Sequence, residues 1–367
     1  MIKKNQNPPN YTLLGLVLAL VFLGVTVIAS ASSVLSWQNH TNTYYYLVHQ
    51  ILFGVLPGLL ILALFSKINY HFWQKLAPIL MLAAFLLLIL VLVPGLGVVS
   101  GGARRWLDLG VVSVQPSEFA KLAMVVYLAA WFARKQKNLH DFVSGFLPSL
   151  LMVGLMAFLI FRQPDMGTLI VLAATAATMF FAAGSHIRHL LGTAGLAFAA
   201  LYLAIVTTPY RVARVITFLD PARDPQGIGY HVNQALLAIG SGGLFGVGFN
   251  RSLQKYNYLP EPMGDSIFAV VGEEMGFLRS ALIILMFMAL AWLGLKIAQR
   301  TSDQFGRLLA VGLTAWIGLQ AFINISAMLG IMPLTGIPLP FISYGSSSLL
   351  ATLAGMGILL NISRQTG

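Results

Sequence analysis

Long apolar runs constrain this chain more than any other feature of its sequence. A helix needs about 20 apolar residues (about 17–25) to cross a bilayer, and ten runs approach or exceed that length: Thr12–Ser33, Tyr44–Phe65, Leu76–Val99, Ser117–Ala133, Phe146–Phe161, Gly167–Ala183, Leu190–Thr207, Ser280–Lys296, Phe305–Met332 and Ser346–Ile362. Only 9% of the residues are charged, whereas soluble domains carry about 25%. The sequence predicts an all-α polytopic membrane protein with ten transmembrane helices, forming a single membrane domain over residues 1–367.

The remaining composition excludes several classes of chemistry. Cysteine is absent, which excludes disulfides, thiolate metal sites and cysteine nucleophiles. The net charge is +11, but no basic run carries interleaved aromatic residues, so we expect membrane lipids rather than nucleic acid as the anionic partner. No serine lies in a nucleophile-elbow motif, and no phosphate-binding loop is present. Any catalysis must therefore depend on carboxylates, with arginine and lysine as electrostatic partners.

The basic residues of the short connections predict the orientation. Cytoplasmic loops of membrane proteins are enriched in lysine and arginine, whereas long loops are exempt from this rule. With the N-terminus inside, the short outer loops receive only Arg104, Arg105 and Arg162, and the inner side receives Lys3, Lys4, Lys67, Lys75, Arg134, Lys135, Lys137, Arg188, Lys296, Arg300, Arg307 and Arg364. We therefore predict that both termini are cytoplasmic and that the loop between helices 7 and 8, at about residues 208–279, is extracytoplasmic.

The first apolar run also resembles a secretory signal peptide. It follows Lys3 and Lys4 and ends near Ala29-Ser30-Ala31, a pattern of small residues typical of a cleavage site. The run is longer than the usual signal core of about 7–15 residues. Its length favours an uncleaved first span.

The long outer loop contains more than half of the acidic residues. Ionisable groups near a bilayer are costly and are therefore candidates for function. The chain has 11 acidic residues, and the loop contains Asp220, Asp224, Glu261, Asp265, Glu273 and Glu274. A glycine-rich run, Gly240–Gly248, lies between them without the spacing of a dinucleotide-binding motif. It predicts an interfacial or re-entrant helix that is broken at the glycines.

Three other outer connections carry polar and irregular sequence. They cover Ser100–Lys121, Arg162–Gly167 and Met332–Ser348, and such backbone is tolerated at membrane depth only where it is buried in protein or lines a cavity. Within the first connection, Glu118 and Lys121 are three residues apart on one helix face, so a pair that satisfies itself is the plainer interpretation. The predicted outer face is therefore the candidate working face.

Single residues of this face have structural alternatives. Asp265 precedes a helical run and could be its N-cap, and Glu273 with Glu274 could be the end of a short helix at the interface. The arginines at positions 104, 105, 211 and 214 could bind lipid phosphates. Together, a carboxylate surrounded by cations suits the deprotonation of an alcohol beside a diphosphate leaving group. The residues alone leave base and cap open for Asp265.

The motifs of the chain jointly resemble the RodA/FtsW family of shape, elongation, division and sporulation (SEDS) proteins, with RodA the nearest branch. They occur in family order and extend from about Gly101 to Arg364. The motifs are Gly102-Ala-Arg-Arg-Trp106, Gln115-Pro-Ser-Glu-Phe-Ala-Lys-Leu122, Gln163-Pro-Asp-Met-Gly167, Ala238-Ile-Gly-Ser-Gly-Gly-Leu-Phe-Gly246, Leu259-Pro-Glu261, Asp265-Ser-Ile-Phe-Ala269, Gly272-Glu-Glu274 and Pro338-Leu-Pro-Phe-Ile-Ser-Tyr-Gly345.

The resemblance implies a ten-helix peptidoglycan glycosyltransferase in the bacterial cytoplasmic membrane. It implies polymerisation of lipid II, an undecaprenyl-diphosphate-linked disaccharide pentapeptide, for cell-wall elongation and shape, with a class B penicillin-binding protein as partner. By motif, Asp265 is the catalytic aspartate, and a divalent cation (Mg or Mn) is expected on Asp265 or Glu118. The substrate-binding residues are then Arg104, Arg105, Glu118, Lys121, Arg211, Arg214 and Glu261. A lipid II flippase and a non-catalytic scaffold for the penicillin-binding protein are the alternatives.

The sequence departs from the family pattern at two places. Met263-Gly264 and Ser266 stand where the family usually has His-Thr before the aspartate and Phe after it, and Gly345-Ser346-Ser347 stands where Gly-Gly-Ser is more usual. Neither departure removes a charged group. We therefore expect the activity to be retained and the local shape of the loop to differ.

Overall fold

The computed structural model describes residues 8–100, 103–108, 110, 112–136, 141–220, 227 and 229–365. The helices are α1 (Tyr11–Ala31), α2 (Ser33–His40), α3 (Tyr45–Gln50), α4 (Leu56–Phe65), α5 (His71–Leu92), α6 (Pro116–Arg134), α7 (Leu147–Arg162), α8 (Met166–Ala182), α9 (Ile187–Val206), α10 (Pro209–Leu219), α11 (Tyr230–Ser241), α12 (Ile267–Arg300), α13 (Gln304–Met328) and α14 (Ser346–Gln365). Single π-helical turns join α3 to α4 and lead into α7.

Helices of membrane-spanning length confirm a multi-pass membrane protein. Within the described residues, eight helices are long and apolar enough to cross a bilayer: Tyr11–Ala31, Tyr45–Phe65, His71–Leu92, Phe142–Arg162, Ile187–Val206, Ile267–Arg300, Gln304–Met328 and Ser346–Gln365. The other two predicted spans correspond to α6, which carries Glu118 and Lys121, and to α8, which has 17 residues. The count of ten and the cytoplasmic termini stay predictions, and Lys3, Lys4 and Lys137 lie outside the described residues.

The core of the bundle is formed by α6, α13 and α14, which pack against one another. Nearly every residue of α14 is buried, whereas α9 has no buried residue. A helix that is apolar on all sides is expected to be enclosed by others. In this fold the enclosed helices also carry polar residues, among them Gln320 and Asn324 of α13. Polar groups therefore lie in the centre of the bundle.

A small antiparallel sheet is a local exception to the all-α prediction. It contains β1 (Gly97–Ser100), β2 (Ala103–Asp108) and β3 (Ser113–Val114) in that order, so the predicted third span, Leu76–Val99, ends earlier, with α5. Backbone groups near a bilayer must be paired within the protein. Strand pairing satisfies them where Val93 turns the chain into an extended conformation.

The predicted outer loop contains three helical segments, which are α10, α11 and the first part of α12. The apolar run at Ser280–Lys296 is only the second part of α12, because Gly276 interrupts the helix with φ 75° and ψ −178°. A Cβ atom at Gly276 would lie 2.2 Å from the nitrogen of Gly246. The glycine-rich run therefore packs backbone to backbone against the break. Helix α11 ends at Ser241, inside this run, and the interfacial or re-entrant position of the helix stays a prediction. Asp224 lies outside the described residues.

Candidate functional site

The four irregular connections meet at one end of the bundle, as predicted. The backbone nitrogen of Gln115, before α6, donates to the Ser347 hydroxyl of the segment that leads into α14, at 3.0 Å. Arg214 of α10 donates through Nη1 to the carbonyl of Leu334, at 3.1 Å. These contacts join parts of the chain that are far apart in sequence. The connection before α14 also contacts the segment that carries Asp265, through Ser343.

Asp265 lies in a short loop, residues 260–266, which we call the Asp265 loop. Two polar side chains hold this loop by its backbone. Asn324 of α13 donates through Nδ2 to the Asp265 carbonyl at 2.8 Å, and the Ser343 hydroxyl donates to the Gly264 carbonyl at 2.7 Å. Because both partners act on backbone carbonyls, they fix the loop while leaving the Asp265 carboxylate unused.

The structure rules out the capping role for Asp265. Helix α12 begins at Ile267, Ser266 is its N-cap residue, and no side chain makes a capping hydrogen bond there. The Asp265 Oδ1 atom lies 3.4 Å from the Ser266 hydroxyl. Its Oδ2 atom faces Gly336, where an added Cβ atom would lie 3.8 Å away. The carboxylate thus has a weak donor on one side and the surface of a glycine on the other.

Burial raises the pKa of Asp265 to about 6. The positive charge of Arg214 and hydrogen bonds within the loop act in the opposite direction. The pKa of Glu261 is raised as well, first by desolvation and then by the negative charge of Asp265. Loss of water disfavours the charged form of a carboxyl, and a second carboxylate adds to that effect. Burial therefore brings the pKa of the Asp265 carboxyl closer to neutral pH than that of a free aspartate.

Glu118 and Lys121 form a buried ion pair inside the bundle. Both side chains are 1% exposed, and their Nζ–Oε1 distance is 2.8 Å. The Lys121 ammonium also donates to Oε1 of Gln320 at 2.6 Å, and Trp316 donates to the same oxygen at 3.0 Å. The two residues pair as their spacing predicts, but Oε2 of Glu118 is buried without a hydrogen-bond partner among the described residues, so the pair does not satisfy itself completely. Contact of either residue with substrate stays a prediction.

Helix α13 places this pair next to the Asp265 loop. Gln320 and Asn324 are four residues apart and so lie on one face of the helix. Gln320 donates to the Pro338 carbonyl at 3.0 Å, and Asn324 donates to the Ile337 carbonyl at 2.8 Å. Through these contacts, one segment before α14 borders both the buried pair and the Asp265 loop.

The structure does not test the divalent cation that is predicted on Asp265 or Glu118. Glu118 accepts from the Lys121 ammonium through Oε1, and its Oε2 atom has no hydrogen-bond partner among the described residues. Across the residues that the structure describes, no group of three His, Cys, Asp or Glu side chains could hold a metal ion. The divalent cation therefore stays a prediction, and no step proposed below depends on it.

The predicted substrate arginines have different surroundings. Arg105 donates through Nε to the Gln163 carbonyl at 3.2 Å and through Nη2 to the Pro164 carbonyl, so it fastens β2 to the turn between α7 and α8. Arg211 donates to the Ala204 carbonyl at 2.9 Å. Both guanidinium groups bond to carbonyls of neighbouring elements, and their predicted contact with a diphosphate is untested.

Arg214 is the arginine whose charge acts on Asp265. Its charge lowers the pKa of Asp265 and also that of His231 on α11. Arg104, at a half-buried position in β2, makes no hydrogen bond to another described residue that would hold its guanidinium in place. Of the four arginines, Arg214 is the one whose positive charge lowers the pKa of the candidate base.

A second cluster of buried charges was not predicted, and we call it the Lys255 cluster. Glu273 and Glu274 lie at the end of the short first part of α12, before the break at Gly276, as predicted, but they are 2% and 3% exposed, so their predicted place at an interface is wrong. Lys255, which is 1% exposed, lies 3.2 Å from Glu274 Oε1. Its ammonium also donates to the Ser30 hydroxyl on α1 at 2.9 Å. The members are Ser30, Asn250, Ser252, Lys255, Glu273 and Glu274. Sequence spacing does not reveal this cluster, because its members come from three separate segments.

Comparison with known proteins places the chain in a family. The model of the FtsW, RodA and SpoVE family, described as cell cycle protein, matches residues 11–367. The chain belongs to this SEDS family. Stage V sporulation protein E of Bacillus subtilis (strain 168) is 42% identical over 98% of both chains. A probable peptidoglycan glycosyltransferase FtsW of Geobacter sp. (strain M18) is 39% identical over 96% of both chains.

Solved structures of SEDS proteins share the fold. A chain of a peptidoglycan synthase complex that coordinates polymerisation and crosslinking matches with a TM-score of 0.80 and 30% identity over 98% of both chains. The rod shape determining protein RodA of Thermus thermophilus matches with a TM-score of 0.71 and 29% identity, covering 98% of this chain and 97% of RodA. Similarity to SpoVE, FtsW and RodA proteins leaves assignment to the RodA branch a prediction.

Proposed function

We propose that this SEDS protein is a peptidoglycan glycosyltransferase that polymerises lipid II at the outer face of the cytoplasmic membrane, with Asp265 as the general base. The observation that carries the proposal is the state of Asp265. It is a desolvated carboxylate with a pKa of about 6, held by its backbone and not used as a cap. Relatives named as peptidoglycan glycosyltransferases along nearly the whole chain support the reaction class.

In the proposed reaction, Asp265 accepts the proton of the 4-hydroxyl of the acceptor sugar. That oxygen attacks the anomeric carbon of the donor, the new glycosidic bond forms, and the bond to the polyprenyl diphosphate breaks with inversion. A base is most effective when its pKa lies near the working pH, and it contributes about 10²–10⁴-fold to the rate. The burial that raises the pKa of Asp265 brings it into this range while leaving it ionised at neutral pH.

Arg214 is proposed to stabilise the departing diphosphate. Negative charge develops on the leaving group, and fixed positive charge in a site from which water is excluded stabilises it strongly. Arg214 is oriented by the Leu334 carbonyl, and its charge reaches Asp265. Arg104, Arg105, Glu118, Lys121, Arg211 and Glu261 are proposed as further substrate contacts on the strength of the family motifs. Lys121 and Glu118 would have to exchange their present partners to do so.

A class B penicillin-binding protein is proposed as the partner that crosslinks the product. Support comes from the match to a chain of a peptidoglycan synthase complex that coordinates polymerisation and crosslinking. A role in elongation and cell shape is proposed from the resemblance to RodA. Depletion of the protein in the source organism, followed by microscopy, distinguishes a defect in cell shape from a defect in division or sporulation.

Purified protein with labelled lipid II in vesicles tests the function. Glycan strands are expected without ATP or a nucleotide sugar, and Asp265→Ala is expected to produce none while staying folded. Movement of lipid II across the bilayer without polymer would indicate a flippase. Absence of both, with retained binding to the penicillin-binding protein, would indicate a scaffold. Normal polymerisation by Asp265→Ala would refute the assignment of the base.

A further inference from the structure

His231 of α11 makes a short contact with the residue that follows Asp265. The distance between His231 Nε2 and the Ser266 hydroxyl is 2.6 Å. Ser266 is fully buried at the start of α12, and α11 packs against α12 along its length. The contact therefore connects a helix of the outer loop to the segment that carries the candidate base.

The donors and acceptors around Ser266 fix the direction of this hydrogen bond. The Ser266 oxygen lies 2.7 Å from the Pro260 carbonyl and 3.4 Å from Asp265 Oδ1, and both of these groups can only accept when Asp265 is ionised. A hydroxyl has one proton to donate, so it is donated to one of these two oxygens. The contact with His231 is then a hydrogen bond from the imidazole N–H to the serine oxygen.

The charge state of His231 agrees with this direction. Burial, and then the positive charge of Arg214, lower the pKa of His231 to about 4. The imidazole is therefore neutral at neutral pH, with one proton to place. Placing it on Nε2 satisfies Ser266, and it brings no positive charge beside Arg214.

We propose that His231 is a positioning residue for Asp265, acting through Ser266. By donating to the Ser266 oxygen, His231 leaves the serine proton for the Pro260 carbonyl, 2.7 Å away, which closes the Asp265 loop on itself and holds the backbone that carries Asp265. The inference rests on the proposed function of Asp265. It assigns to this chain a device that a phenylalanine after the aspartate, as the family usually has, would not provide.

The restraint acts where geometry matters for a base. The Asp265 backbone is held by Asn324, but its carboxylate has few partners. A base must lie within hydrogen-bond reach of the proton that it takes, and small misplacements of a reacting group lower the rate strongly. Loss of the His231–Ser266 contact is therefore expected to slow the chemical step and to leave binding of lipid II unchanged.

The test measures kcat and KM for lipid II polymerisation by the full-length protein. His231→Leu and Ser266→Ala are each expected to lower kcat about tenfold without a change in KM, as loss of one hydrogen bond that acts on the transition state would. His231→Gln keeps an N–H donor near the position of Nε2 and is expected to recover most of the rate. Ser241→Ala is the control, because that hydroxyl lies at the other end of α11 and donates only to the Ala238 carbonyl.

The double variant His231→Leu with Ser266→Ala distinguishes positioning from general loss of packing. Residues that act through one contact are non-additive, so the double variant is expected to be no slower than either single variant. Full additivity, equal loss in His231→Gln and His231→Leu, or unchanged kcat in both single variants would overturn the inference. Thermal unfolding identifies a misfolded variant, and Ser266→Ala then tests the contact from its other side. If the wild-type protein makes no polymer, the proposed function fails first, and this inference fails with it.

Discussion

The Lys255 cluster and the Asp265 loop each contain two carboxylates of the same outer segment, but their surroundings are opposite. In the Lys255 cluster, Glu273 accepts from the Ser252 hydroxyl and from the backbone nitrogen of Leu253, and Glu274 accepts from the Lys255 ammonium. In the Asp265 loop, the Asp265 carboxylate lies 3.4 Å from the Ser266 hydroxyl, and the backbone hydrogen bonds of Asp265 and Ser266 lower its pKa by less than burial raises it. Donors lie close to the carboxylate oxygens of the Lys255 cluster, whereas the Asp265 carboxylate has no close side-chain donor among the described residues.

The difference shows how a carboxylate of this fold becomes structural or reactive. A buried charge is stable when donors satisfy its oxygens, and such a charge has no remaining capacity for a substrate. A carboxylate that is desolvated without donors keeps a raised pKa and can accept a proton. The number of donors around each group, rather than its distance from the membrane, separates the two pairs.

The largest expected effect is that of Asp265→Asn. Polymerisation should fall by about 10²–10⁴-fold, because the positioned base is lost. Stability should not fall, since the substitution removes a carboxylate whose charged form is disfavoured in the fold. Rates with labelled lipid II and the thermal unfolding midpoint in detergent measure the two quantities. A variant that is both inactive and unstable would mean that Asp265 is structural.

The sequence located Asp265 but could not decide its role from the residues alone. Capping was the competing interpretation, and it depended on where α12 begins, a boundary that propensity does not define to one residue. The family motifs favoured the base, and the structure removed the cap by placing Ser266 at that position. Spacing did predict the pair of Glu118 and Lys121, because both lie on one helix.

Other features could not be predicted because they depend on contacts between distant segments. The Lys255 cluster needs Ser30 of α1 next to Glu274 of α12, and no periodicity encodes that contact. The small sheet was missed because the valine-rich end of the third apolar run fits a helix as well as a strand. An interruption between Glu274 and Ser280 was predicted, but its position at Gly276 was not, since the positive φ of Gly276 goes with its close packing against Gly246.

For Lys255→Met we expect a loss of stability with no direct effect on polymerisation, the opposite of what we expect for Asp265→Asn. Removing one partner of a buried ion pair leaves an uncompensated charge, which costs about 3–5 kcal/mol. The thermal midpoint should fall steeply, and polymerisation should be lost only to the extent that protein is lost. Addition of Glu274→Gln should recover part of the stability, because it removes the unpaired charge. Unchanged stability in Lys255→Met would show that the ion pair of the Lys255 cluster does not stabilise the fold, and the two regions would then not differ as described.

The pH dependence of polymerisation measures the ionisation of the Asp265 carboxyl. The ionised carboxylate is the active form, so kcat should decline below pH 6 and be about tenfold lower near pH 5. The charge of Arg214 lowers the pKa of Asp265, so Arg214→Gln should move this limb to higher pH. Arg279→Gln, which removes a guanidinium bonded to the Phe245 carbonyl, is the control and should leave the limb in place.

The raised pKa of Asp265 also affects stability, which is expected to fall with rising pH, whereas the rate of polymerisation is expected to increase. The folded protein holds the proton of Asp265 more tightly than the unfolded chain does, because the pKa of the folded form is raised. Ionisation of this group therefore lowers the free energy of unfolding as the pH rises from about 4 to about 6. Asp265→Asn should remove this component of the pH dependence. A pH profile of stability that is unchanged in the variant would show that Asp265 is not desolvated.

The smallest effect is expected for Ser30→Ala, which removes one member of the Lys255 cluster without leaving a charge unpaired. The Ser30 hydroxyl donates to Glu274 at 2.6 Å and accepts from Lys255, while Asn250 also accepts from that ammonium at 2.5 Å. Loss of one hydrogen bond among several should cost about 1 kcal/mol, with polymerisation unchanged. Ser33→Ala, whose hydroxyl donates only to the Ser30 carbonyl, is the matched control. If Ser30→Ala lowered the thermal midpoint as much as Lys255→Met, the Ser30 hydroxyl rather than the ion pair would hold α1 to α12. The stability of the Lys255 cluster would then depend on its neutral groups.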